Sequence, residues 1–118
     1  MAENYTCTPY FYARSSSVYF NNKLGQEVVR MGLRKARFHF VPSLGGYAFI
    51  FSKDRGYPVL ANAGAIHISS PYICQTLLGI YGIKDGIELQ MIKADSSDDE
   101  QLIFTIGGIY GKDSKERT

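Results

Sequence analysis

The chain has 118 residues, 45% of them apolar and 20% charged, with a net charge of +2. That size suits one compact domain with its own core, and the balance excludes both a disordered polyelectrolyte and a helical membrane protein. No apolar run approaches the ~20 residues of a spanning helix, and MAENYTCTPY has neither the basic start nor the apolar stretch of a secretory leader, so a cytoplasmic protein is expected.

The net charge conceals a split. Residues 14–56 carry +6, from Arg14, Lys23, Arg30, Arg34, Lys35, Arg37, Lys53 and Arg55 against Glu27 and Asp54, whereas residues 57–118 carry −3. An anionic partner on the first half, or a contact between unlike halves of two molecules, fits that asymmetry.

In chain order, Tyr10-Phe11-Tyr12 predicts an extra strand, or a segment packed across a sheet, ahead of the main pattern. Alternation at Val18 and Phe20 gives a short strand, and Asn21-Asn22 are favoured helix N-caps. Leu24, Val28 and Val29 then share one face of a helix of about two turns, continued by Met31. Gly32-Leu33-Arg34 reads as a left-handed helix end with an anchoring side chain. Phe38 and Phe40 mark a strand, Pro42-Ser43-Leu44-Gly45-Gly46 a turn, and Tyr47, Phe49 and Phe51 the returning strand.

The same order of parts recurs. Ile66 and Ile68 mark a strand, Ser69-Ser70 the cap, and Ile73, Leu77, Leu78 and Ile80 the helix. Gly82-Ile83-Lys84 is the exit, Ile87, Leu89 and Met91 a strand, 95–100 a turn, and Leu102, Phe104 and Ile106 the last strand. The chain therefore reads as a single domain of two β-α-β-β repeats: a basic one at 17–51 and an acidic one at 65–106, joined by a linker at 52–64 and ending in a solvated tail at 111–118. Offsets between matched residues grow from 48 (Val18 to Ile66) through 50 (Gly32 to Gly82) to 55 (Phe49 to Phe104), and the insertions this requires fall at helix ends and turns, where chains tolerate them.

A capped two-turn helix between short strands, a Gly-aliphatic-basic exit and a hairpin resemble the AbrB-like, swapped-hairpin family of transition-state regulators and antitoxins. The resemblance covers about residues 17–106 and is carried by Ile66-His67-Ile68 and Gly82-Ile83-Lys84-Asp85-Gly86-Ile87-Glu88-Leu89 in the second repeat, and by Val18-Tyr19-Phe20 and Gly32-Leu33-Arg34 in the first. It implies a mainly β fold with short helices (α+β), in which the tandem repeats interleave their hairpins into one small β-barrel, and a non-enzymatic DNA-binding transcriptional regulator or antitoxin-like protein. The second repeat departs from the family in having no Lys or Arg between residues 57 and 83, so duplex DNA is expected on the first. The alternative is a protein-interaction or structural module, phage or mobile-element encoded, without DNA binding.

The nucleic-acid candidates are Arg14, Lys23, Arg30, Arg34, Lys35 and Arg37, whose cations suit phosphate contacts. Any single one reads equally as a cation placed favourably at a helix end. Tyr10, Phe11, Tyr12, Tyr19 and Tyr47 offer stacking faces or protein anchors, while most of the seven Phe belong to the core.

No catalytic residues are expected, since Ser15-Ser16-Ser17 is not a nucleophile elbow and neither His39 nor His67 has a recognisable partner set. Cys7 and Cys74 lack metal-ligand spacing, Asp95, Asp98, Asp99 and Glu100 lack that of a calcium loop, and no cofactor is implied. The glycines of GIYGIKDG follow a helix, whereas a phosphate loop must precede one.

Overall fold

The computed structural model describes residues 9–62, 65–95, 97–98 and 100–109. Cys7 and the tail at 111–118 lie outside the described residues.

β1 (Tyr10–Arg14) is the strand foreseen at the start, turning Phe11 and Ala13 inward and Tyr12 and Arg14 outward. It forms a hairpin with β2 (Ser17–Phe20), which buries Val18 and Phe20. The two turn residues, Ser15 and Ser16, have φ of 54° and 68°. That is the mirror-image turn which Asn-Gly normally supplies, so the serines carry strain. Tertiary bonds hold the turn: the Asp85 carboxylate accepts from the Ser15 N–H at 3.3 Å, and the Ser16 carbonyl accepts from the Ser70 N–H at 3.0 Å.

α1 (Asn22–Arg30) buries Leu24 and Val28. Val29 is 54% exposed, so the apolar stripe is narrower than the sequence suggests and keeps only the i, i+4 spacing. Asn21 is the N-cap by position, but its side chain accepts from the Tyr10 N–H at 3.2 Å and does not cap the helix. At the other end Gly32 adopts φ 73°, and Leu33 N–H and Gly32 N–H bond to the carbonyls of Val28 and Val29, the pairing of a left-handed helix end.

β3 (Lys35–Val41), a 3₁₀ turn at Pro42–Leu44 and β4 (Gly46–Ser52) form the first long hairpin. The alternation ends early: Phe38 is buried, but Phe40 is exposed and meets Tyr47 edge-on. The expected linker is largely strand, with β5 at Tyr57–Pro58 and β6 at Leu60–Asn62. β7 (Ala65–Ser69) leads into α2 (Pro71–Thr76), where Ser70 Oγ accepts from the Ile73 N–H at 3.2 Å. A π turn at Leu77–Tyr81 continues it to Gly82, at φ 67°. Here the closing bonds, Gly82 N–H to Leu78 and Ile83 N–H to Leu77, each span one residue more than in α1, as a one-residue insertion in a helix requires. Leu78 and Ile80 are 54% and 53% exposed, so they leave the face the sequence assigned them. β8 (Leu89–Lys93) and β9 (Leu102–Ile109) complete the fold, and their turn is tied by the Asp98 carboxylate to the N–H groups of Glu100 and Gln101.

Among the described residues, nine strands join one antiparallel sheet in the order β5-β3-β4-β9-β8-β1-β2-β7-β6, curled into a nearly closed barrel. The extended stretch 57–62 serves both edges, pairing first with β3 and then with β7, and between them Val59 N–H bonds to the Arg34 carbonyl at 2.8 Å. Inside, the Phe49 ring meets those of Phe11, Phe20 and Phe38 at 4.8, 5.3 and 4.5 Å. Removing such a ring costs about 3–5 kcal/mol. A small second cluster, Ala48, Ile50 and Ile103, lies outside the main core.

Two stability outcomes follow. Gly56 has φ 116°, and a Cβ there would lie 2.2 Å from the Ala36 carbonyl oxygen. Gly56→Ala should therefore lose about 2 kcal/mol or more in a thermal or urea melt. Conversely, replacing Ser15-Ser16 by Asn-Gly should raise stability by roughly 1 kcal/mol, because the required φ values then carry no Cβ penalty.

Candidate functional site

The six cations selected from the sequence are distributed over distinct surfaces. Lys35 opens β3 and pairs with Ser52, and Arg34 just before it bonds through its N–H to the Ser52 carbonyl at 2.9 Å. That register brings the turn after β4 against them, adding the exposed Lys53 and Arg55 and one acid, Asp54. Ser52 Oγ, bonded to the Arg55 carbonyl at 3.3 Å, helps shape this turn. Among the described residues, none of Arg34, Lys35, Lys53 and Arg55 forms an ion pair. Lys53 and Arg55 were visible in the sequence only as part of the charge excess, since they stand 19 and 21 residues from Arg34 and are brought to it by antiparallel pairing alone.

Arg37 belongs to the same strand but has a structural task. Its Nη2 donates to Gln101 Oε1 at 3.4 Å, its Nε is buried without a partner, and the close approach of Gly56 confines its Cγ. Its charge adds to the basic rim while its fork is held against the protein. Arg30 lies at the end of α1, in a loose pair with Glu27 at 4.0 Å, and Glu27 also receives Lys93 at 3.5 Å. These are surface pairs of small individual weight.

Arg14 and Lys23 flank a different feature. Arg14 is on β1, four strands from β3 by way of β4, β9 and β8, so it is not a neighbour of the rim. Its guanidinium lies 5.4 Å from the centre of the Tyr12 ring. From Tyr12, outward-facing rings run across the sheet: Tyr12 stacks on Tyr19 at 5.3 Å and 15°, and Tyr19 on His67 at 5.2 Å and 24°. These rings border an open groove of about 680 Å³, also lined by Tyr10, Asn21, Asn22 and Lys23, with no carboxylate among its lining residues. Because β1 and β7 flank β2, Tyr19 has a ring on each face. Its faces are already in use, so it cannot stack a nucleobase as the sequence allowed.

Cys74 is half-buried beside the Ser15-Ser16 turn, its Sγ 3.6 Å from the Ser17 carbonyl. Desolvation, followed by the Asp85 charge, pushes its thiol above the ordinary range. The thiolate, the nucleophilic form, is therefore disfavoured. Among the described residues no group of three or more His, Cys, Asp or Glu side chains is placed to hold a metal, and no helix is long and apolar enough to cross a membrane.

Alkylation of Cys74 by iodoacetamide, followed by peptide mass mapping, should run well below the rate of a free thiol at pH 8 and gain on it only as pH rises. Asp85→Asn should speed it modestly, since Asp85 is the smaller of the two causes.

No family model, curated protein sequence or solved structure matches this chain, so its surfaces are interpreted from their own chemistry.

Proposed function

We propose that this chain is a tandem swapped-hairpin protein that binds duplex DNA through its basic first repeat and acts as a regulator without catalysis. The observation that carries the reading is the pairing pattern combined with where it puts the cations.

The sequence offsets, 48 for the opening strands and 55 for the hairpins, carry observed pairs onto other observed pairs. Tyr12↔Tyr19 becomes Leu60↔His67, and Ala13↔Val18 becomes Ala61↔Ile66. Tyr10↔Gln90 becomes Pro58↔Lys35, and Ala36↔Phe51 becomes Met91↔Ile106. Two pairs, Tyr19↔His67 and Phe49↔Phe104, become themselves, as pairs on a pseudo-twofold axis would. Each hairpin also borders the opening strand of the other half: β3 pairs with β5, and β8 with β1. On this reading the repeats are 10–52 and 57–109, the former linker supplies the second opening strand, and the extra helical residue of the second repeat is the π turn.

The DNA-facing surface is the rim of Arg34, Lys35, Lys53 and Arg55, with Arg37 adding charge. The exposed Arg34, Lys53 and Arg55 and the half-buried Lys35, none in an ion pair among the described residues, are available to displace counterions from phosphates, and the barrel holds their backbone in place. A second reading, a protein-interaction module, is favoured by the exposed Tyr72, Leu78, Ile80 and Tyr81 on the second helical segment, with Tyr81 against Tyr47 at 6.3 Å.

Fluorescence anisotropy with a labelled duplex across a salt series should give an affinity that falls steeply with salt. Arg34→Ala and Lys35→Ala should each flatten the log–log slope by about 1. Absence of binding at low salt would reject the DNA reading and favour the protein partner. Light scattering should return the mass of one chain, because both halves of the barrel are supplied in cis.

A further inference from the structure

We infer that the aromatic groove is a second arm of the duplex interface, so that the nucleic acid lies across β5 and β6 with the basic rim on one side and the groove on the other. The inference rests on the duplex-binding reading above and adds to it a surface and a mode of contact.

The registers connect the two features through one outward-facing band. Lys35 on β3 pairs with Pro58 on β5; two residues on, Leu60 on β6 pairs with His67, His67 with Tyr19, and Tyr19 with Tyr12. Residues 57–62, between the arms, carry no charge and include the exposed Tyr57 and Leu60. At about 4.8 Å per strand, Lys35 and Tyr19 are three spacings, roughly 14 Å, apart along the sheet. The major groove is ~12 Å wide, so phosphates on both its edges fall within reach of side chains from the two arms.

The groove's chemistry points to a backbone contact. Its lining holds Lys23 and no carboxylate, which suits an anion. Glu27, one turn along α1, is engaged by Arg30 and Lys93. Stacking of Tyr19 between Tyr12 and His67 takes up both its ring faces, and Arg14 lies over Tyr12, so the tyrosines meet a ligand through their hydroxyl edges. Edges of that kind donate to phosphate and sugar oxygens, whereas a single-strand platform needs free faces. The ligand is therefore a duplex held by its phosphates.

The test uses the full chain and two labelled probes, a duplex and a single strand of equal length, read by anisotropy at several salt concentrations. Lys23→Ala, at an exposed position, should weaken duplex binding about 3- to 10-fold and flatten the salt slope by about 1. Tyr12→Phe with Tyr19→Phe keeps the stack and removes the hydroxyls; it should weaken duplex binding a few-fold with the slope unchanged. The His67 imidazole resonances should also shift on adding duplex. If these groove variants bind as the parent does while Arg34→Ala and Lys35→Ala weaken binding, the groove is not part of the interface, and the rim reading survives alone. A single strand bound more tightly than the duplex, with loss on the tyrosine changes, overturns the inference as well. No binding of either probe at low salt removes both proposals.

Discussion

The barrel depends on one extended stretch, residues 57–62, satisfying two sheet edges at once. Unpaired strand edges expose rows of N–H and C=O groups that invite pairing with other chains. Here the edge of β3 meets Tyr57 and Pro58, the edge of β7 meets Leu60, Ala61 and Asn62, and the Val59 N–H bonds to Arg34 at the crossing point. Proline is tolerated because it sits where the stretch changes partners. The turn just before it must pass so close to β3 that only glycine fits at position 56. That same turn delivers Lys53 and Arg55 to Arg34 and Lys35, so closing the sheet and assembling the basic rim are a single structural event.

On the proposed duplication, the two halves agree inside and differ outside. Val18 and Ile66, Phe20 and Ile68, and Phe49 and Phe104 occupy matched buried positions. On the surface Tyr12 corresponds to Leu60 and Arg37 to Ile92. Core positions are constrained by packing density, which penalises changes of volume in either direction. Surface positions carry no such constraint, and one half is left basic and aromatic while the other is apolar and acidic. A ligand bound near the pseudo-axis would meet unlike surfaces on its two sides.

Several local features were legible because they depend on local chemistry. The left-handed glycines at 32 and 82, the alternation that buries Phe49 and Phe51, and the Ser70 cap follow from nearest-neighbour sterics and hydrogen bonding. One expectation failed where a tertiary partner intervened: Asn21 turned its side chain to the Tyr10 N–H instead of its own helix. The positive φ of Ser15 and Ser16 is likewise held by tertiary partners, Asp85 and Ser70. The apolar Val29, Leu78 and Ile80 remain outside, while Leu24 and Val28 on the first helix and Ile73 and Leu77 on the second segment are the positions buried against the sheet.

The sequence by itself determined the succession of parts, the glycine-ended helices, the inward face of most strands and the excess of positive charge in the first half, since each is encoded within a few residues. Only the tertiary structure decided which cations lie together: it joined Lys53 and Arg55 to Arg34, gave Arg37 a packing task, and placed Arg14 four strands away. It also turned three aromatics from three strands into a stack with Tyr19 enclosed. The physical reason is the same in each case. Antiparallel register brings together residues far apart in sequence, and a one-residue change of register would have sent every one of these side chains to the other face.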